Sequence, residues 1–235
     1  MIPFVHLHVH SQYSILDGQA PVKRLVDKAI ANGMRGMALT DHGNMFGIKE
    51  LHDYANSKNA DVNKAIKELK SQLEEEQGKD TPSPEAIDKL QTLISEQESK
   101  LFKPIFGCEV YVANQDLHTH TDKRDIGRHL ILLAKNNTGY HNLVKIVSKG
   151  WTEGFYMHPR TDHHELELHH EGIICCSACL GGEVPQLIMN GDIAGARKVA
   201  QWYHGVFGDD YYLELQRHKA TVLMPITRLS SSSRR

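Results

Sequence analysis

Apolar residues and histidines alternate from Val5 through His6, Leu7, His8 and Val9 to His10. A period of two is that of a half-buried strand, so a first strand is expected over Phe4–Val9 with the imidazoles of His6, His8 and His10 on one face. Further apolar runs predict strands over Gly36–Leu39, Ile105–Val112, His129–Ala134, Gly172–Cys176 and Tyr211–Leu215. Most of the intervening segments carry a helical period. Val22, Leu25, Val26, Ala29 and Ile30 share one helical face, and Gly33 is suited to end that helix. Alternating strands and helices place the chain in the α/β class.

Two stretches depart from this pattern. Residues 56–100 lack histidine, are rich in Lys and Glu, and repeat apolar residues at Val62, Ile66, Leu69 and Leu73, then at Ile87, Leu90, Leu93 and Ile94. They read as an inserted helical hairpin, broken at Gly78–Pro84, with Ser83 as N-cap and Pro84 as the first residue of the second helix. A solvated, charge-paired face explains such a hairpin more simply than a partner-binding arm. At the other end, residues 221–235 finish in Ser230–Ser233 and two arginines, leaving no room for a further strand–helix unit. The expected organisation is one domain over 1–220, incomplete at its carboxyl end, followed by a non-native or disordered tail over 221–235.

Composition narrows the function. The 235 residues are 40% hydrophobic and 24% charged, which suits one globular domain with a core. A formal net charge of −2 gives no bulk attraction to nucleic acid, so any phosphate affinity must come from local groups or metals. There is no signal-peptide pattern and no apolar run of membrane-spanning length; a cytoplasmic location without a membrane partner is expected. Four cysteines form no spaced framework and read as thiols or ligands. Sixteen histidines are the compositional anomaly.

Metal-capable side chains recur at expected strand ends and in the loops that follow: His8, His10, Asp17, His42, Glu109, His129 and Cys179. Convergence of such ends is how α/β folds assemble a site. Imidazole, carboxylate and thiolate together suit Zn²⁺, Mn²⁺ or Fe²⁺, and seven donors exceed what one tetrahedral ion takes, which points to two or three ions. Clustered divalent ions suit phosphoester hydrolysis. Cys176 and Cys179 form a lone C-x-x-C, and Cys176, inside an apolar run, is assigned to the core. His118, His120, His163, His164, His169 and His170 fall in polar segments and read as mostly solvated. Arg160 and Arg217 are candidate phosphate contacts, although a surface role is the simpler reading of either. Gly181-Gly182 ahead of Glu183–Ile188 offers backbone amides to an anion, or simply a turn.

The motifs His6-Leu7-His8-Val9-His10-Ser11, Ser14-Ile15-Leu16-Asp17-Gly18, Leu39-Thr40-Asp41-His42-Gly43, Pro104–Glu109, Arg128–Ala134 and Ser177–Val184 resemble the polymerase and histidinol phosphatase (PHP) domain. Asn136–Tyr140, Gly154-Phe155-Tyr156 and Pro159-Arg160 are similar to the form carried at the amino terminus of the bacterial replicative polymerase alpha subunit. The resemblance spans Ile2–His218 apart from the charged hairpin. It implies a distorted seven-stranded, TIM-like β/α barrel, here truncated before its last strand, with up to three divalent ions. It assigns His8 and His10 to paired ligand positions, Asp17 to a loop position, and His42, Glu109, His129 and Cys179 to positions after the second to fifth strands. His6 stands where many relatives carry Asp, so it is given at most an outer role. Two further family ligands, after the final strand, have no counterpart.

The resemblance further implies that the intact protein is a DNA-directed DNA polymerase in DNA replication. Its partners would be DNA, a sliding clamp, a clamp loader and a proofreading exonuclease. The present domain would be a metal-dependent phosphoesterase or 3′–5′ exonuclease module. Two other readings remain: a free-standing phosphoesterase of the histidinol phosphatase kind, and a non-catalytic, metal-stabilised replisome scaffold.

Overall fold

The computed structural model describes residues 4–15, 17–119 and 125–216. The expected tail over 221–235, His120 and Arg217 lie outside the described residues. The contacts divide the chain into two units, one from residues 4–6, 20–37 and 48–104, the other from residues 7–19, 38–47 and 105–216.

The first unit is mainly helical, with α1 (Val22–Ala31), α2 (Ile48–Lys58), α3 (Ala60–Gln77) and α4 (Pro84–Glu98). Helix α1 buries Val22, Val26 and Ala29, three of the positions its apolar period marks. Asp27 on α1 accepts from the Tyr54 hydroxyl of α2 and pairs with Lys58 at 2.8 Å. Helices α3 and α4 form the hairpin over the Lys/Glu-rich stretch, with Ile66 and Ile94 buried. Ser83 caps α4 by accepting from the Ala86 N–H, with Pro84 as first helical residue. At the base of the hairpin, Asn59 and Phe102 exchange two hydrogen bonds of 2.9 Å.

The second unit carries most of a mixed sheet. Its strands are β1 (Gly36–Leu39), β2 (Lys103–Val112), β3 (Arg128–Ala134), β4 (Phe155–Tyr156), β5 (His158–Thr161), β6 (Ile173–Cys176) and β7 (Tyr211–Tyr212), in the order β4-β5-β2-β3-β6-β7 with β1 also on β2. Strands β2 and β3 are antiparallel, as are β3 and β6, while β2–β5 and β6–β7 are parallel. The fold is thus mixed α/β, and among the described residues no strand pairing joins β4 to β7.

Helices α5 (Asn137–Thr152), α6 (His163–Leu168), α7 (Glu183–Met189) and α8 (Ile193–Phe207) belong to the same unit. Cys108, Val110 and Val112 of β2 and Leu130 and Leu132 of β3 pack with Leu143 and Ile146 of α5 and Tyr203 and Phe207 of α8. The intervening residues point the other way, where Ile131 and Leu133 meet Ala38, Cys176 and Ala178. Both faces of β3 are buried, which explains its unbroken Leu130–Leu133 run.

Two expected strands are shortened. The histidine-rich segment is not a regular strand: it makes one parallel bridge, His6 with Met37, and further on Val9 exchanges bonds with Thr40. Its ladder gives way because Val9 N–H is taken by the Thr40 hydroxyl at 2.8 Å rather than by a backbone carbonyl. The Tyr211–Leu215 run keeps only Tyr211–Tyr212 as strand; beyond it, Glu214 N–H is turned to the Ser177 hydroxyl.

Candidate metal centre

The alternation that sends Cys108 and Val110 toward the helices sends Glu109 and Tyr111 to the opposite face of β2. Glu109 lies inside β2, not beyond its end, and it is fully buried. An ionised carboxylate in that position must be matched by cations or donors, and here imidazoles surround it. Oε2 lies 3.1 Å from His8 Nε2, 2.9 Å from His10 Nε2 and 3.2 Å from His42 Nδ1. Oε1 pairs with His129 Nδ1 and lies 3.8 Å from Cys179 Sγ, which is itself 3.5 Å from His129 Nδ1. Two groups result, His8–His10–Glu109 and His42–Glu109–His129, sharing the one carboxylate.

Each side chain arrives by an identifiable route. His8 and His10 precede a tight turn in which Ser14 N–H bonds Ser11 O and Gly18 N–H bonds Ser14 O. A Cβ on Gly18 would stand 1.9 Å from Ser11 O, so only glycine closes this turn and brings Asp17 back. Asp17 Oδ2 reaches His42 Nε2 at 2.6 Å and is the most exposed member. His42 follows β1 and is bridged to Glu109, with Glu109 N–H bonded to Asp41 O and Gly43 N–H to Glu109 O. His129 stands near the beginning of β3, not after it. It reaches the site because β3 runs antiparallel to β2, which sets His129 opposite Tyr111. Cys179 lies in the loop after β6, beside Ala178 at a left-handed φ of 60°, and its sulfur accepts from Gly181 N–H.

Hydrogen-bond chemistry fixes which ring nitrogens face the centre. His8 Nδ1 meets Glu214 Oε1 at 2.8 Å; a carboxylate only accepts, so Nδ1 carries the proton and a neutral His8 has its lone pair on Nε2. Ser14 donates its hydroxyl proton to Asp41 Oδ1 and therefore accepts from His42 N–H and from His10 Nδ1–H, which leaves the His10 lone pair on Nε2 as well. These two Nε2 atoms are 3.0 Å apart, each about as far from Glu109 Oε2. His42 Nδ1 is buried and, among the described residues, without a hydrogen-bond partner, although the same oxygen is 3.2 Å away: the distance is short but the direction is wrong for donation. Three electron-pair donors crowded on one carboxylate, one of them an orphan, form a set that a divalent cation satisfies, so the residues fit a metal.

Charge responds to the same crowding. Burial opposes the charged form of His8, but Glu109 and Glu214 outweigh it and hold the imidazole up to about 10. His129 is likewise opposed by burial, yet Cys179 and Glu109 raise it to about 9. Burial alone would lift Glu109; when these imidazoles carry a proton on both nitrogens, hydrogen bonds from His10, His129 and His8 instead hold it far below the usual carboxylate range.

All seven metal-capable residues expected from the sequence, His8, His10, Asp17, His42, Glu109, His129 and Cys179, are within this network. His6 is exposed, edge-on to Phe4, and outside it. Arg160 requires a correction as a phosphate contact. It is fully buried, paired with Asp125 at 3.2 Å and bonded to the carbonyls of Leu117 and Gly154, so no face of its guanidinium is open to a substrate. Gly181 lies against the His129 ring, where a Cβ would come within 3.0 Å. Cys176 is buried in the core, its thiol pushed up to about 12 by burial. His163 stacks on Trp202 and meets Glu183, whereas His118, His164 and His170 are exposed.

Three contributors lie beyond the seven expected residues. Glu214 is an acid within an apolar run, a signal visible in Leu213-Glu214-Leu215. Asp41, buried, holds the Ser11–Ser14 turn through three hydrogen bonds. His158 stacks on Tyr111, and its affinity for a proton is lowered by burial and by His129 and His42; its register beside β2 comes from a strand with no period-two pattern.

The PHP domain family profile matches residues 6–218. Among curated proteins, the chain is 39% identical over 217 residues to the DNA polymerase III subunit alpha of Borreliella burgdorferi, covering 92% of this chain and 15% of that protein. It is 40% identical over 222 residues to the protein of the same name in Treponema pallidum, with the same coverage, and 36% identical over 224 residues to that of Deinococcus radiodurans. The chain thus spans about 15% of the length of the curated relatives it matches. Among the described residues no helix is long and apolar enough to cross a membrane.

Proposed function

Because the chain belongs to the PHP domain family, we propose that it is the PHP portion of a bacterial replicative DNA polymerase III alpha subunit, with a divalent-metal phosphoesterase centre around Glu109. The convergence of His8, His10, His42 and His129 on that single buried carboxylate is the observation that carries the metal reading. The names of the relatives favour the polymerase context over a free-standing histidinol phosphatase-like enzyme. In that context the intact protein is a nucleotidyltransferase whose partners are DNA and replisome subunits, among them sliding clamp, clamp loader and proofreading exonuclease. The proposed family architecture is a seven-stranded β/α barrel.

His8 and His10 would hold one ion with Glu109, and His42, His129 and Cys179 another; Asp17, beside His42 at the exposed rim, completes the set and allows up to three ions of the Zn²⁺, Mn²⁺ or Fe²⁺ kind. Such ions supply an activated water and neutralise charge on a leaving oxygen. The protein's part is orientation. Glu109 fixes the spacing of the two groups, Ser14 and Asp41 hold His10, and the Ala178–Gly182 turn aims Cys179 at His129. The test is metal-dependent release of nucleotides from the 3′ end of single-stranded DNA by the purified chain, alongside a small phosphomonoester. The expected result is Mn²⁺- or Zn²⁺-dependent release that His8→Ala reduces by at least 100-fold. Metal uptake with no hydrolysis of either substrate would replace this reading with the scaffold role, and turnover confined to the monoester would replace it with the free-standing phosphatase.

A further inference from the structure

We infer that Glu214 is a positioning residue for His8: its carboxylate holds the Nδ1–H tautomer and ring plane that present Nε2 to the metal centre. The inference rests on the metal reading above and adds a residue to it. Glu214 Oε1 lies 2.8 Å from His8 Nδ1, across 206 positions of the chain. The carboxylate is itself held in place. The Glu214 N–H donates to Ser177 Oγ at 2.9 Å, and the Gln216 amide donates to Oε1 at 2.7 Å. Gln216 Nε2 also lies 3.4 Å from His8 Nδ1, but two donors cannot bond each other, so the proton on Nδ1 goes to the nearer carboxylate oxygen. His10 is served in the same sense by another route, Nδ1–H to Ser14 and from Ser14 to Asp41. Both imidazoles of the His8–His10 pair are thus backed by an acidic group, direct for one and relayed for the other. Carboxylate backing of this kind fixes the tautomer, raises ligand basicity and commonly contributes 10–100-fold to metal affinity.

Mn²⁺ and Zn²⁺ affinities of the 235-residue chain, measured by competition with a chromogenic chelator, test this. Glu214→Ala is expected to weaken binding by about 10–100-fold and Glu214→Gln, whose amide oxygen still accepts from Nδ1–H, by only a few-fold. In a His8→Ala background, Glu214→Ala is expected to cause no further loss. Undiminished affinity in Glu214→Ala, or the same loss with His8 absent, would overturn the inference while leaving the metal centre standing. A wild-type chain that takes up neither metal would overturn both. An independent readout needs no variant: in the Zn²⁺-loaded chain, long-range ¹H–¹⁵N correlation of the neutral His8 ring is expected to show the proton on Nδ1, and a ring protonated on Nε2 alone contradicts the assignment.

Discussion

Glu109 collects the site because one strand's alternation leaves it no other place. Cys108 and Val110 are committed to the packed face of β2, so the carboxylate must emerge on the other, where the imidazoles of His8, His10, His42 and His129 and the thiol of Cys179 approach it. That arrangement makes small changes next to a ligand informative. Gly181 touches the His129 ring closely enough that an added methyl group would push the ring by a few tenths of an ångström. Gly181→Ala is therefore expected to weaken Mn²⁺ binding by about 10-fold while costing about 1 kcal/mol or less in the folding stability of the chelated chain; unchanged affinity with a large loss of stability would show that the ring stays and the turn gives way. The residue types that gather around Glu109 were legible in the sequence. Histidine, aspartate and cysteine in turn-rich segments name their own chemistry, and the seven expected residues meet. What backs them was not legible: Glu214 and His8 are joined only by the fold, and no local pattern links them.

Elements were legible where the apolar period is strong. Strand β3, with both faces buried, and the Ser83-Pro84 start of α4 follow directly from sequence. The histidine-rich run does not keep its ladder, since its polar neighbours Thr40 and Asp41 capture backbone donors at Val9 and Ser11. Strands β4 and β5 have only two and four residues, too short for a period to register. Arg160 sits in β5, and sequence alone gives no sign that an arginine there is wholly enclosed. Its charge is matched by Asp125 and by the carbonyls of Leu117 and Gly154, so it ties Leu117 and Asp125 to β5. Removing one partner of a buried pair leaves the other uncompensated, and Arg160→Met is expected to lower unfolding free energy by about 3–5 kcal/mol in a denaturant titration. A variant as stable as wild type, with a raised KM for a phosphate substrate, would instead restore Arg160 as a phosphate contact.

At the scale of the molecule, the converging side chains all belong to the second unit, while the helical hairpin belongs to the first. Sheet order was the least legible feature. Six strands could be counted, but their neighbours and directions depend on long-range pairing, and the antiparallel β2–β3 pair that delivers His129 runs against the simple strand–helix repeat. Everything proposed for this molecule requires that the carboxylate of Glu109 and its imidazoles form a metal centre. The most direct measurement is anomalous X-ray diffraction at the manganese or zinc edge from crystals of the chain grown with that ion. An anomalous peak is expected within bonding distance, about 2.0–2.2 Å, of His8 Nε2, His10 Nε2 and Glu109 Oε2. Well-ordered side chains at these positions without any anomalous peak would contradict it.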